Sequence, residues 1–282
     1  IVDISRDFLN TNGAERHADV HVTAPADADY FSELPLVKKE TDLKESWLEN
    51  LRDLNVCSQQ GLGEQFDSTV GAATVLLPFG GKYQLTPAES MVAKLPVLKG
   101  DTTTGTIMAH GYNPQLALWS PFHGAVYAIV EAVTRVVATG GDYQRVRLTL
   151  QEYFERLGTD PQKWGKPFSA VLGAYYVQKA LGIPAIGGKD SMSGTFKDMN
   201  VPPTLAAFAV APVDVREVIS PEFKQAGNPV VLLPVGRDDQ GMPDFAAMKR
   251  NFAKVRELVV KGVVRAAKSI NFGGLAAALS QM

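Results

Sequence analysis

The spacing of apolar positions divides the chain into helical and extended stretches. Residues 123–138 set Ala125, Val126, Ala128, Ile129, Ala132, Val133, Val136 and Val137 on one wide face, with Tyr127, Glu131, Thr134 and Arg135 opposite, and so predict an amphipathic helix. A nearly all-apolar helix is expected from about Phe168 to Leu181, buried on several sides. Phe245, Met248, Phe252, Val255 and Val259 recur every three or four residues and predict a helix over 244–261; Leu43, Trp47, Leu48, Leu51 and Leu54 predict a shorter one over 43–55. The alternation of Val146, Leu148 and Leu150 predicts a strand, and the apolar run Thr204 to Val213 predicts a central one. A strand or extended segment is expected over 67–79, strands around the Gly100-Asp101 turn between Leu95 and Ala109, and Val263 to Ala267 is a further strand candidate; Pro229 to Val235 starts a new unit. Thr86-Pro87-Ala88-Glu89 has the form of a capping box with proline at the first helical position, although a simple turn fits equally well. Gly61 to Phe66 (GLGEQF) begins like a dinucleotide fingerprint but lacks the third glycine and a preceding strand, so it reads as a loop.

Helices and strands alternate without a regular short period, which points to an α+β chain of two units rather than a repeat array. The expected boundaries are a tail of a preceding domain over 1–24, with a turn at Asn12-Gly13, and a polar, acidic linker over 25–42. A first unit then spans 43–213, and the truncated start of a second spans 214–282. The chain opens without a methionine and stops at GGLAAALSQM inside a helical pattern, so a piece of a longer polypeptide is expected.

Composition narrows the function classes. A hydrophobic content of 45% with 21% charged residues describes a globular chain with a substantial core. The net charge of −2 and the lack of a lysine and arginine run argue against a nucleic-acid groove. No apolar run approaches the ~20 residues that cross a bilayer. The single cysteine, Cys57, cannot form an internal disulfide, which suits a reducing cytoplasm; it reads as a structural thiol.

The candidate chemistry lies in LGIPAIGGKDSMSGTF, Leu181 to Phe196. Gly182 and Pro184 turn the chain from helix to a short strand that breaks at Gly187 and Gly188, directly before Lys189, Asp190, Ser191 and Ser193. Paired glycines let backbone N–H groups approach an anion, a lysine reaches phosphate as a point charge, and an aspartate can hold the Mg²⁺ that neutralises a polyphosphate. The spacing is not that of a P-loop, since Gly188 stands where the lysine should follow and Asp190 where Ser or Thr should. A glycine turn with solvated Lys and Asp accounts for the same residues. Glu131 is the carboxylate expected to act with Asp190 as an oxygen ligand of phosphate-bridging Mg²⁺; an i,i+4 ion pair with Arg135 is the alternative. His17 and His21 are four apart, but their segment is not helical and lacks a HExxH glutamate, so zinc is not expected there.

Three stretches carry a family resemblance: Pro184 to Phe196 (PAIGGKDSMSGTF), Gly124 to Asp142 (GAVYAIVEAVTRVVATGGD) and Gly273 to Leu279 (GGLAAAL). Over nearly the whole chain they resemble phosphoribosylformylglycinamidine synthase of purine biosynthesis. The resemblance implies two tandem halves, each like aminoimidazole ribonucleotide synthetase, packed as an internal pseudo-dimer and followed by a glutaminase domain. This chain matches the second half: an N-terminal ATPase-type domain and the opening of the next C-terminal α/β domain. Its implied partners are the first half and the glutaminase domain, with self-association of the fragment as a further expectation. The implied cofactors are ATP or ADP and Mg²⁺, with Glu131 and Asp190 as metal ligands and Lys189, Ser191 and Ser193 at phosphate.

Departures from the family pattern are Arg135 in place of an asparagine ligand, Gly111-Tyr112-Asn113-Pro114 for Asp-x-Asn-Pro, and Lys268 and Asn271 for a histidine and an aspartate. The implied activity is ATP-dependent conversion of formylglycinamide ribonucleotide and glutamine to the amidine. A non-catalytic nucleotide-binding or scaffold half is the alternative, and another ATPase of the superfamily, such as a kinase or selenophosphate synthetase, is a third reading.

Overall fold

The structure, a computed structural model, describes residues 2–11, 17–25, 30–31, 42–65, 69 and 71–282. The elements, in chain order, begin with helices α1 (Arg6–Thr11), α2 (Leu43–Arg52) and α3 (Gln60–Gly63). Strands β1 (Phe79–Gly80), β2 (Thr86–Pro87), β3 (Met91–Lys94) and β4 (Thr104–Gly111) follow. Next come α4 (Pro114–Trp119), α5 (Pro121–Ala138), β5 (Arg147–Tyr153), α6 (Pro161–Leu181) and β6 (Ala185–Lys189). The hairpin β7 (Thr195–Phe196) and β8 (Met199–Asn200) leads to β9 (Thr204–Asp214), α7 (Phe245–Val260) and α8 (Gly274–Gln281).

The central sheet has the order β3-β4-β9-β5-β6, antiparallel except for the β5–β6 pair. β9 is its middle, as its continuous apolar sequence implies. Leu205, Ala207, Ala209, Ala211 and Val213 are buried on one face, and the small alanines let α5 lie close against the sheet, with α6 packed on α5. The parallel β5–β6 pair needs a crossover, and α6 supplies it. Each long helix has a local start signal: Ser120 caps α5 and Asp160 caps α6 through side-chain oxygens on backbone N–H groups, each followed by proline. Gly182 ends α6 in the left-handed region at φ 73°. Among the described residues, no helix is long and apolar enough to cross a membrane.

Several expectations change. No helix starts at Thr86: Thr86–Pro87 pairs with Phe79–Gly80, and Glu89 is drawn into the interior by partners far along the chain. Gly61 lies in the one-turn helix α3 rather than a loop. The strand before the Gly100-Asp101 turn sits earlier than expected, at Met91–Lys94, because fully buried Val92 belongs to the core whereas Leu95, Val97 and Leu98 are exposed. Within 67–79, the described residues form a 3-10 turn at Gly71–Ala73, a single bridge from Thr74 to Ala93 and the start of β1. Residues 263–267 form no strand, and the 229–235 run is irregular, with Val230 to Leu233 exposed. Helix α6 starts at Pro161 and is not buried all round: Phe168, Val171, Leu172, Tyr175 and Tyr176 face outward. The Asn12-Gly13 turn and most of the 25–42 linker lie outside the described residues.

The C-terminal region packs back on the first unit. Helix α7 lies on α5 and α6, with Tyr143 and Phe252 rings 5.6 Å apart and Lys249 Nζ donating to the Ala180 carbonyl at 3.0 Å. Helix α8 meets α2, where Trp47 Nε1 donates to Ser280 Oγ at 2.8 Å.

Candidate functional site

Because β9 runs against both β4 and β5, strands β4, β5 and β6 all point the same way, and their C-terminal ends share one edge of the sheet with the start of β9. Gly111, Ala207, Leu150 and Gly188 form a row across that edge through successive register pairs. Glu131 stands at one end of the row and the Lys189–Ser193 loop at the other. Tyr112 spans part of the interval, its hydroxyl 3.0 Å from Thr204 Oγ1.

At the first end, a Cβ on Gly111 would come within 2.1 Å of the Ala128 carbonyl and 2.8 Å of Glu131 Cβ, so glycine is what lets the end of β4 lie against α5. That approach brings the Tyr112 N–H to Glu131 Oε2 at 3.2 Å. Glu131 Oε1 accepts from Arg135 Nη2 at 2.5 Å and from Asn271 Nδ2 at 3.1 Å. Arg135 Nε, by contrast, is buried without a partner among the described residues. Close by, buried Glu89 accepts from Lys268 Nζ at 2.7 Å, from the Ser269 N–H at 2.9 Å and from Ser269 Oγ at 2.5 Å. Ser90 Oγ donates to the Arg135 carbonyl, so residues 268–271 close over a cluster that contains both carboxylates. Sequence reasoning missed Glu89, because its capping-box spacing suggested a helix start and its partner is 179 residues away.

At the second end, Lys189 pairs with Gln151, and the Ser191 N–H donates to the Glu152 carbonyl at 3.1 Å. A Cβ on Gly188 would sit 2.3 Å from the Leu150 carbonyl, so this glycine serves the strand pairing itself. The Ser191 and Ser193 hydroxyls are 2.8 Å apart. Lys189 and Asp190 are exposed, and among the described residues neither side chain has a hydrogen bond or ion pair. Glu152, missed in the sequence, is 9% exposed on β5 beside this loop. Burial, with the nearby Asp190 charge adding to it, pushes its carboxyl up to about 7.

Glu131 and Asp190 therefore share an edge but stand three strand spacings apart, roughly 14 Å along the backbone row. One Mg²⁺, with bonds of about 2.1 Å, does not join them. The surroundings of Glu131 do not fit a divalent cation, because three donors occupy its oxygens and one of them is a guanidinium. Asp190, without a partner among the described residues and next to a second carboxylate, has no such donors on its oxygens. Among the described residues, no group of three or more His, Cys, Asp or Glu is arranged to hold a metal. The His21 backbone N–H donates to the Pro161 carbonyl, which lays this segment along α6, and Cys57 is a half-buried free thiol.

No family model matches the chain. Subunit PurL of phosphoribosylformylglycinamidine synthase from Pyrobaculum aerophilum is 29% identical over 246 residues, covering 81% of this chain and 33% of that protein. The chain is similar to PurL. The PurL of Methanosarcina barkeri is 25% identical over all of this chain and 39% of its own length. Among solved structures, Thermotoga maritima PurL complexed with ATP aligns with a TM-score of 0.54 at 17% identity, covering 86% of this chain and 34% of that one. The PurLQS structure from the same organism aligns at 0.55 and 18%, covering 87% and 34%. These alignments show the fold, and the mixed helix and sheet agree with the α+β expectation. The chain spans about a third of the length of the PurL relatives it matches.

Proposed function

We propose that this chain is part of an ATP-dependent amidotransferase that converts formylglycinamide ribonucleotide to the amidine, and that it contributes a nucleotide site at the C-terminal edge of its sheet. In the whole enzyme, phosphoryl transfer to the formamide oxygen makes a leaving group that ammonia from glutamine displaces as phosphate. The first synthetase-like half and a glutaminase domain are the partners this chemistry calls for. The observation that carries the nucleotide site is Lys189, without a hydrogen-bond or ion-pair partner among the described residues, at a strand end beside two hydroxyls, Ser191 and Ser193. Unpaired cations and hydroxyl donors suit phosphate oxygens, which need positioned charge more than covalent help. Lys189 binds phosphate as a point charge, while Ser191 and Ser193 orient it by donating hydrogen bonds. A Mg²⁺ on Asp190 would supply further neutralising charge. PurL structures solved with ATP and with ADP support this reading.

The neutralised Glu131 and Glu89 favour a non-catalytic form of the same site, one that holds nucleotide without turning it over. Calorimetry with Mg-ADP on the full chain should show saturable heat, and Lys189→Ala should weaken binding tenfold or more, about 1.4 kcal/mol. No heat with the unaltered chain, or equal binding by Lys189→Ala, sinks the nucleotide reading. Ammonia-dependent amidation by this chain alone would sink the non-catalytic form.

A further inference from the structure

We propose that Glu152 and Asp190 together hold a divalent cation at the C-terminal ends of β5 and β6, and that Glu131 takes no part in binding it. The inference rests on the nucleotide reading above and deepens it, naming the carboxylates that would serve its metal.

The register sets the geometry. Leu150 pairs with Gly188 and Gln151 with Lys189 in parallel, and the Ser191 N–H holds the Glu152 carbonyl at 3.1 Å, so Asp190 runs abreast of Glu152. Residues abreast on adjacent parallel strands point to the same side of the sheet, with backbones about 4.8 Å apart. Two carboxylates at that spacing both reach one ion at about 2.1 Å, and Mg²⁺ is commonly held by one or two carboxylates with water completing its shell.

The charge balance points the same way. The other buried carboxylates have cations: Glu89 has Lys268, and Glu155 has Lys163 and Lys166. Half-buried Glu131 has Arg135. Glu152, nine-tenths buried, has neither an ion pair nor a side-chain hydrogen bond among the described residues, although Asp190 brings a second negative charge beside it. A carboxylate withdrawn from water and left unpaired is costly, and a cation between the two acids removes that cost. At the other end of the edge, Arg135 and Lys268 already provide the positive charge, so an ion there would meet repulsion.

The test uses the full chain and Mn²⁺ alone, without nucleotide, so failure of the ion site is distinguishable from failure of nucleotide binding. Free Mn²⁺ is followed by electron paramagnetic resonance, and unfolding temperature is measured with and without Mg²⁺. The chain should take up one Mn²⁺, and Glu152→Gln and Asp190→Asn should each weaken uptake tenfold or more and abolish the Mg²⁺-dependent rise in unfolding temperature. Glu131→Gln should leave uptake within twofold. Should Glu152→Gln fail to fold, Asp190→Asn, on an exposed loop, still decides the matter. The proposal falls if the unaltered chain takes up no Mn²⁺, if uptake survives Asp190→Asn, or if Glu131→Gln removes it.

Discussion

Lys268 and Glu89 meet at 2.7 Å with side chains 7% and 5% exposed, and among the described residues neither has another ion-pair partner. Breaking such a pair from one side strands a charge, whereas removing both charges together is far milder. Lys268→Met should therefore lower the unfolding free energy by about 3–5 kcal/mol, and the double variant Glu89→Gln/Lys268→Met should recover most of the loss in urea unfolding. Equal losses in the single and double variants would show that the pair's geometry, not its charge, holds residues 268–271 in place. At this scale, legibility was uneven. Lys189, Asp190, Ser191 and Ser193 could be singled out because local sequence puts a lysine, an acid and two hydroxyls behind two glycines. Glu152 and Glu89 could not, because burial and long-range partners make them unusual, and neither is written in their neighbours along the chain.

Helix α6 shows the limit of periodicity at the scale of an element. A helix apolar on every side has no direction in its sequence, so burial on several sides was expected from Phe168 to Leu181. The structure selects one face through small residues: a Cβ on Gly173 would come within 2.2 Å of the Phe122 carbonyl, and one on Gly165 within 2.0 Å of the His21 carbonyl. Ala174 is 1% exposed on that inner face, while Tyr175 beside it is 58% exposed. Tyr175→Lys should change the unfolding free energy by less than about 0.5 kcal/mol, whereas Ala174→Leu should cost about 1–3 kcal/mol by overpacking. Comparable costs at the two positions would mean that the outer face is covered in solution. The amphipathic α5, by contrast, was readable to within two residues, since its apolar side marks which face packs on the sheet; that its polar side is half-covered as well was not.

Across the whole molecule, the region after β9 is fastened to the sheet unit by the apolar packing of α7 and by polar contacts, of which His123 makes one. A carbonyl can only accept, so Nε2–H of the neutral ring donates to the Gln240 carbonyl at 2.8 Å, leaving Nδ1 to accept from Ser120 Oγ at 2.8 Å. Desolvation is the main reason its pKa lies below the usual histidine value, and it outweighs the Gln240 contact and the Asp238 charge, which act the other way. His110, on β4, is lowered by desolvation as well, with Arg135 adding to it. A base whose folded pKa is depressed contributes stability above its unfolded pKa of about 6.5 and loses it as pH falls below that value. The two histidines should therefore remove stability as pH falls from 7 to 5.5, against Glu152, whose carboxyl, raised to about 7, adds stability over the same range. His123→Gln should raise the unfolding temperature at pH 5.5 relative to that at pH 7, and an unchanged difference would assign the acid sensitivity elsewhere. By itself, the sequence determined the long helices, the central strand, the α+β class and the glycine-flanked loop, because each depends on side-chain period or on turn chemistry within a few residues. Only the tertiary structure decided the sheet order that brings three strand ends to one edge, the outward face of α6, and which carboxylates there have cations. Those outcomes depend on contacts between residues far apart in the chain, which local spacing does not encode.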